Sequence, residues 1–354
     1  MDMLSWALDQ IVVSDRRTSR RCCQAREQQD LLRVFRHVYV PTDRVAGAPD
    51  KWEAARRATA LRIAAVARVL GPSAVFVGEA AAVLHGIDTV TELIDVHVCV
   101  PCIPRTAPVV LPPLLIPGHG PVSGTIPPAA VVRHLTTIDE KWILEKAPGV
   151  RVVDLATAGA MCAQDLPARS GSVVVSGLLR RMSSFDRFWE KAEASRVREE
   201  AARRQILDRL EELSSRRGRR RARVVIAAAD AACESVPERV LLWVLKSGGF
   251  TGVHTQVHHR VRGRDYYVDF EVPDHRVALE SDSDGKHERT GGSIREVHAS
   301  YRRQSDRQKD LESVGLVFAR FVPAEYDDPQ AVIAEVTRKC GLRSCPRAVP
   351  ALVR

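Results

Sequence analysis

The chain has 354 residues, 45% of them hydrophobic, which is enough to bury cores in two or three domains and excludes wholesale disorder. Its 53 Lys and Arg outweigh 44 Asp and Glu, giving a formal charge of +9 and a pI near 9.4. That balance suits a polyanionic partner, nucleic acid first, beside the plainer alternative of a solvated basic surface. The 8 cysteines are scattered and make no disulfide framework; Cys99-x-x-Cys102 and the pair Cys340 and Cys345 have zinc-type spacing, but reduced thiols are the expectation. Residues 1–30 hold no apolar signal-peptide core, and the longest apolar tract, 98–117, is interrupted by Pro101, Pro104, Pro108, Pro112, Pro113 and Pro117. No membrane span and a cytoplasmic location are expected.

Taken in chain order, MLSWALDQIVVS has helical periodicity at Leu4, Leu8, Ile11 and Val12, and an arginine-rich helix follows it. LLRVFRHVYV then alternates as a hairpin with its turn near Arg36-His37. Helix, basic helix, basic hairpin is the order of a winged helix, whose wing would bring Arg33 and Arg36 to phosphates; an ordinary small α/β subdomain is the alternative. This module is expected over 1–48. An α/β middle domain is expected over 49–172, opening with the amphipathic KWEAARRATALRIAAVARVLG, which stops at Gly71-Pro72. Strands VHVCVP and GVRVVDLA lie within it, with no catalytic constellation; His97, His119 and His134 show no i, i+4 spacing for a metal.

Residues 173–232 read as a helical, basic connector. Glu199 and Arg203 have helical ion-pair spacing, and Gly218 is expected to end one helix and start the next. The surrounding arginines, Arg219, Arg220 and Arg221 among them, are candidates for phosphate contact or a solvated surface. At 233–340 the signals sharpen. Ser235, Pro237 and Glu238 form a helix-start signature before VLLWVL. Two strands flank Arg262-Gly263-Arg264, and the turn Pro-Asp-His-Arg leads into VALESD. If Asp274-His275 centre that turn, Asp269 stands opposite Glu280, and alternation adds Asp282 on the same face. Facing carboxylates repel unless a cation neutralises them, and carboxylate oxygens suit Mg²⁺ or Mn²⁺. Such a set, with Lys286 and His287 nearby and Glu238 as a further ligand, has the chemistry of metal-dependent phosphodiester hydrolysis.

These residues carry a resemblance. PERVLLWVL, YYVDFEV, ALESDSDGKHER, RQSDRQKDL and FARFVPAEY resemble the very-short-patch-repair endonuclease-like domain of the PD-(D/E)XK nuclease superfamily over about 100 residues. The resemblance implies a restriction-endonuclease-like sheet flanked by helices, Mg²⁺ as cofactor and double-stranded DNA as partner. It puts Glu238, Asp269, Glu280 and Asp282 on the acidic positions and His287 on the histidine. The family run E-x-D-G is here Glu280-Ser-Asp-Ser-Asp-Gly, so either Glu280 with Asp282 or Asp282 with Asp284 takes the acidic roles. Asp306 and Asp310 match the later helix, where Arg302, Arg303, Arg307 and Lys309 face the phosphate backbone or solvent. REQQDLLRVFRHVYV and VGEAAAVLHGI resemble AbiEi-type antitoxin proteins of actinobacteria, with His37 where glycine is usual. That implies a second reading, a non-catalytic regulator or type IV antitoxin with a cognate toxin as partner. The expectation is an α/β, overall α+β, chain ending in a tail at 341–354.

Overall fold

The computed structural model describes residues 3–15, 18–101, 109–118, 122–134, 138–282 and 294–353, without the side chains of 294–301 and 303. The fold is mixed α and β, as expected, and divides into two compact units. One comprises 1–162 with 212–216, the other 163–211 with 217–354. No helix among the described residues is long and apolar enough to cross a membrane.

The first unit opens with α1 (Met3–Gln10), β1 (Val12–Val13), α2 (Ser19–Glu27), β2 (Leu31–Phe35) and β3 (Val38–Pro41), the strands ordered β1-β3-β2. The β2–β3 turn falls at Arg36-His37, with Arg33 and Arg36 exposed. His37 has φ 58, a left-handed conformation that favours glycine. After α3 (Asp43–Ala46) comes α4 (Lys51–Leu70), started by the Asp50 carboxylate accepting from Glu53 N at 2.8 Å and stopped at Gly71, φ 70. The expected two-sided α4 is buried at every position from Ala58 to Ala67. Arg62 lies within that run, wholly buried, donating to the carbonyls of Pro112 and Pro127. The remaining elements are β4 (Val75–Phe76), α5 (Gly78–Leu84), β5 (Val96–Cys99), β6 (Val109–Leu111), β7 (Leu114–Ile116), β8 (Gly124–Ile126), β9 (Ala129–His134), β10 (Ile143–Ala147) and β11 (Val150–Val153). They build a sheet of order β10-β11-β4-β5-β9-β6 and a β7–β8 ribbon.

Helix α6 (Leu155–Asp165) spans the division between the units. The second unit continues with α7 (Ala168–Ser183), α8 (Trp189–Glu212), α9 (Arg219–Ala228) and α10 (Val236–Ser247). Gly218, φ 80, does precede α9. Next come β12 (His254–Val261), β13 (Arg264–Val272), β14 (Val277–Ser281), α11 (Ile294–Ser313), β15 (Val317–Phe321), α12 (Pro329–Lys339) and α13 (Pro350–Val353). The sheet order is β12-β13-β14-β15: two antiparallel pairings, then a parallel one that needs α11 as its crossover. Val261, Val268, Ala278, Leu311, Leu316 and Phe318 join sheet and α11 in one core. The stretch expected as a tail is packed instead: Leu352 is buried, and its carbonyl accepts from Trp243 Nε1 at 2.9 Å.

Candidate active site

The site grows from the β13–β14 connection. Phe270 pairs with Leu279, Glu271 with Ala278 and Val272 with Val277, so the turn is centred between Asp274 and His275. Pro273 opens the short turn, and Arg276, φ 52, closes it. Continued one residue past its last pair, Phe270–Leu279, this register sets Asp269 opposite Glu280. The Asp269 carboxylate accepts from the Ser281 backbone N–H at 3.0 Å. Burial first, then the neighbouring Glu238 and Glu280 charges, push its pKa up to about 7; the Ser281 hydrogen bond and Arg307 act the other way.

Glu238 reaches this cluster from α10 and also closes the helix start. Its Oε1 accepts from Ser235 Oγ at 2.8 Å and its Oε2 from Glu234 N at 2.9 Å, while its own N–H bonds Ser235 Oγ. Gln256, on β12, is a member that periodicity did not reveal. The flanking pairs Thr255–Phe270 and Val257–Val268 set it opposite Asp269. It adopts φ 48, a costly backbone for a non-glycine residue, and its amide points at Glu238 Oε2 at 3.3 Å.

Glu280 is buried between two cations. Arg307 of α11 lies 2.5 Å from Oε1 and Arg320 of β15 lies 2.8 Å from Oε2, ion pairs whose angles miss hydrogen-bond geometry at Oε1 and at Arg320 Nη2. Arg320 also grips Asp282 through both carboxylate oxygens, at 3.0 and 3.2 Å. Glu280 and Asp282 therefore share a face, as alternation requires, and share an arginine. Ser281 points elsewhere, its hydroxyl 2.6 Å from the buried Tyr326 hydroxyl.

Not every expected site residue joins this set. Asp284, Lys286 and His287 lie outside the described residues, as does the Arg303 side chain. Arg302 is exposed, whereas Arg307 turns inward, giving its second amine to the Tyr267 carbonyl. Asp310 is buried, accepting from Arg262 and the Tyr266 hydroxyl. Of the connector arginines, Arg220 is exposed, Arg219 pairs with Glu211, and Arg221 donates to the carbonyls of Gln164 and Leu166 at 2.7 Å. Glu199 and Arg203 do pair, at 2.7 Å, but inside the unit, with Arg196 and Asp230 in the same network.

Two further clusters in the first unit were invisible as spacing. His97 Nδ1 lies 2.9 Å from His134 Nε2 across the parallel β5–β9 pair, and burial with the His134 charge lowers the His97 pKa to about 4. Glu79 is pushed up to about 7 by burial and by Asp95. Comparison of the chain with family models, curated proteins and solved structures finds no match.

The fit of a divalent cation can be judged from this donor set. Asp269, Glu238 and Glu280 are hard oxygen ligands, and a carboxyl held near neutrality by neighbouring acids is the kind of group a cation returns to its anion. The Arg307 and Arg320 guanidinium groups hold that charge-balancing place beside Glu280. Among the described residues, no group of three or more histidine, cysteine or carboxylate side chains is gathered closely enough to hold a metal ion. By donor type these carboxylates suit Mg²⁺ or Mn²⁺, but as placed Glu280 is held by Arg307 and Arg320 and they form no metal centre.

Proposed function

We propose that the second unit is a metal-dependent endonuclease-like domain of the PD-(D/E)XK type and that the chain binds double-stranded DNA. The observation that carries this reading is Asp269 at the hairpin end, held protonatable near pH 7 by burial and by the neighbouring Glu238 and Glu280 charges. Mg²⁺ or Mn²⁺, when bound, supplies Lewis-acid polarisation of the phosphoryl oxygen and a more acidic water. Asp269 and Glu280 are the residues to hold it. Arg307 and Arg320 balance the carboxylates in its absence and offer cations to a phosphate in its presence. Exposed Arg33 in β2 and Arg36 on the β2–β3 turn offer phosphate contacts from the first unit, and Arg220 and Arg302 separately from the second; such contacts read no bases.

A second reading, a non-catalytic DNA-binding regulator of antitoxin type with a toxin as partner, is favoured by one observation. Glu280 and Asp282 are already neutralised by Arg307 and Arg320, an arrangement that serves as a scaffold without metal. Plasmid DNA incubated with Mg²⁺, Mn²⁺ or EDTA separates the two. Metal-dependent nicking that disappears in Asp269→Ala supports the nuclease; shifted but intact DNA under every condition supports the regulator.

A further inference from the structure

We propose that Phe188 and Trp189, with His258 and Tyr267 of the β12–β13 hairpin, form a stacking platform for unpaired bases of single-stranded DNA. The choice of DNA rests on the nuclease-type reading above; the platform rests on its own geometry. Phe188 and Trp189 are neighbours at the start of α8, and 53% and 49% of their surfaces face solvent. About half of each ring is left in water, off the face on which α8 buries Ser195, Glu199, Ala202, Ile206 and Leu210. Yet they are held in place. Trp189 stacks on His258 at 5.7 Å with ring planes 14° apart, and His258 lies 5.2 Å from Tyr267. Phe188 meets Tyr267 edge-on at 5.9 Å. The Trp189 backbone N–H donates to the Tyr267 hydroxyl at 3.2 Å, and the Phe188 N–H to Asp186 at 3.1 Å.

One cation lies over the rings, and others are on the adjoining segments, each with a carboxylate partner: Arg187 with Glu234, Lys191 with Asp186, Arg260 with Asp265 and Arg262 with Asp310. The Arg187 guanidinium sits over both Phe188 and Tyr267, at 5.9 and 5.7 Å. Lys191, Arg260 and Arg262 leave 66%, 64% and 70% of their side chains in solvent. Pre-ordered aromatic faces with partly exposed basic side chains on the same segments suit a strand whose bases stack while its phosphates exchange with the present carboxylate partners, and every base has a π-face. A duplex offers no free base face along its length. The platform also adjoins the carboxylate cluster. Tyr267 is two residues before Asp269 on β13, and its carbonyl accepts from Arg307, the partner of Glu280.

The test is fluorescence anisotropy of a dye-labelled dT oligonucleotide of about fifteen nucleotides with the full chain in EDTA, where no cleavage occurs. Trp189→Leu should weaken binding about tenfold or more, and Trp189→Phe should keep most of it. An abasic oligonucleotide of equal charge should bind the wild-type chain weakly and be insensitive to Trp189→Leu. Thermal melts of both variants separate lost stacking from lost folding. Equal affinity of Trp189→Leu and wild type, equal affinity for abasic and base-bearing strands, or binding confined to duplex DNA or to RNA would overturn the proposal. Nicking of plasmid by the wild type is scored separately: its absence with stacking intact sinks the nuclease reading and leaves the platform standing.

Discussion

Glu79 in the first unit and Asp269 in the second are both pushed to about pH 7, and in both the largest cause is burial. Their surroundings differ. Glu79 has one acidic neighbour, the exposed Asp95, whose carboxylate is already taken by the Ala130 N–H at 2.7 Å. Asp269 has Glu238 and Glu280 beside it, Gln256 across the sheet and two arginines on Glu280. A raised carboxyl pKa marks desolvation; the second case adds two further carboxylates and a sheet neighbour beside it. The largest expected effect follows from this contrast. Asp269→Asn should lower metal-dependent nicking by about 10²–10³-fold or more, the scale of one electrostatic group in a reacting centre, whereas Glu79→Gln should leave it unchanged. Plasmid relaxation rates for the two variants measure it, and a loss as large in Glu79→Gln would erase the distinction.

Stability against pH sharpens the same pair. Both carboxyls bind their proton more tightly in the folded chain than in the unfolded one. Their contribution to stability is therefore complete below pH 4 and is lost as pH rises through about 7. The melting temperature should fall between pH 5 and pH 8. Asp269→Asn and Glu79→Gln should each flatten part of that fall, on the order of 3 kcal/mol apiece. Millimolar Mg²⁺ at pH 8 should restore the part belonging to Asp269 and not the part belonging to Glu79. Recovery in neither would remove the cation from the account of Asp269.

Buried cations extend the comparison at smaller scale. Glu280 sits between Arg307 and Arg320, whose side chains keep 26% and 23% exposure. Glu280→Gln takes one partner from each, but Arg320 keeps Asp282, Arg307 keeps the Tyr267 carbonyl and water relieves part of the rest, so about 2 kcal/mol is expected rather than the 3–5 of a fully buried pair. Arg62 is the opposite case: wholly buried, giving one amine to two carbonyls while its Nε and other amine have no hydrogen-bond partner among the described residues, with its pKa lowered to about 10 by burial. Arg62→Met should cost about 1–2 kcal/mol, because it removes a buried charge and two hydrogen bonds together. Urea denaturation of the two variants ranks them.

What could be read from residue order was local. The Pro273–His275 turn and the alternation around it fixed the register that faces Asp269 toward Glu280. Ser235 and Glu238 marked a helix start, and Gly218 a break. What could not be read was the direction of a charged side chain. Arg62, Arg221 and Arg307 look like surface residues because arginine usually is one, and their partners at Pro112, Gln164 and Glu280 are supplied only by the fold. The His97–His134 contact needs the parallel β5–β9 pairing, and the Trp189 platform needs a hairpin about seventy residues later. Gln256 was hidden for another reason: strand alternation carries no mark of a left-handed φ at a residue other than glycine.

The arginines supply the smallest and most discriminating effect. Arg36 stands exposed at the β2–β3 turn of the first unit, whereas Arg221 in the second is tied to two carbonyls. A side chain that neutralises one phosphate contributes roughly one unit to the slope of log affinity against log salt. Arg36→Ala should lower that slope by about one without moving the melting temperature. Arg221→Ala should leave the slope alone and cost about 1 kcal/mol of stability, since it strands the carbonyls of Gln164 and Leu166. Equal slopes for wild type and Arg36→Ala in filter-binding titrations across salt would take the hairpin of the first unit off the DNA, and leave the basic residues of the second unit to account for all the electrostatic affinity.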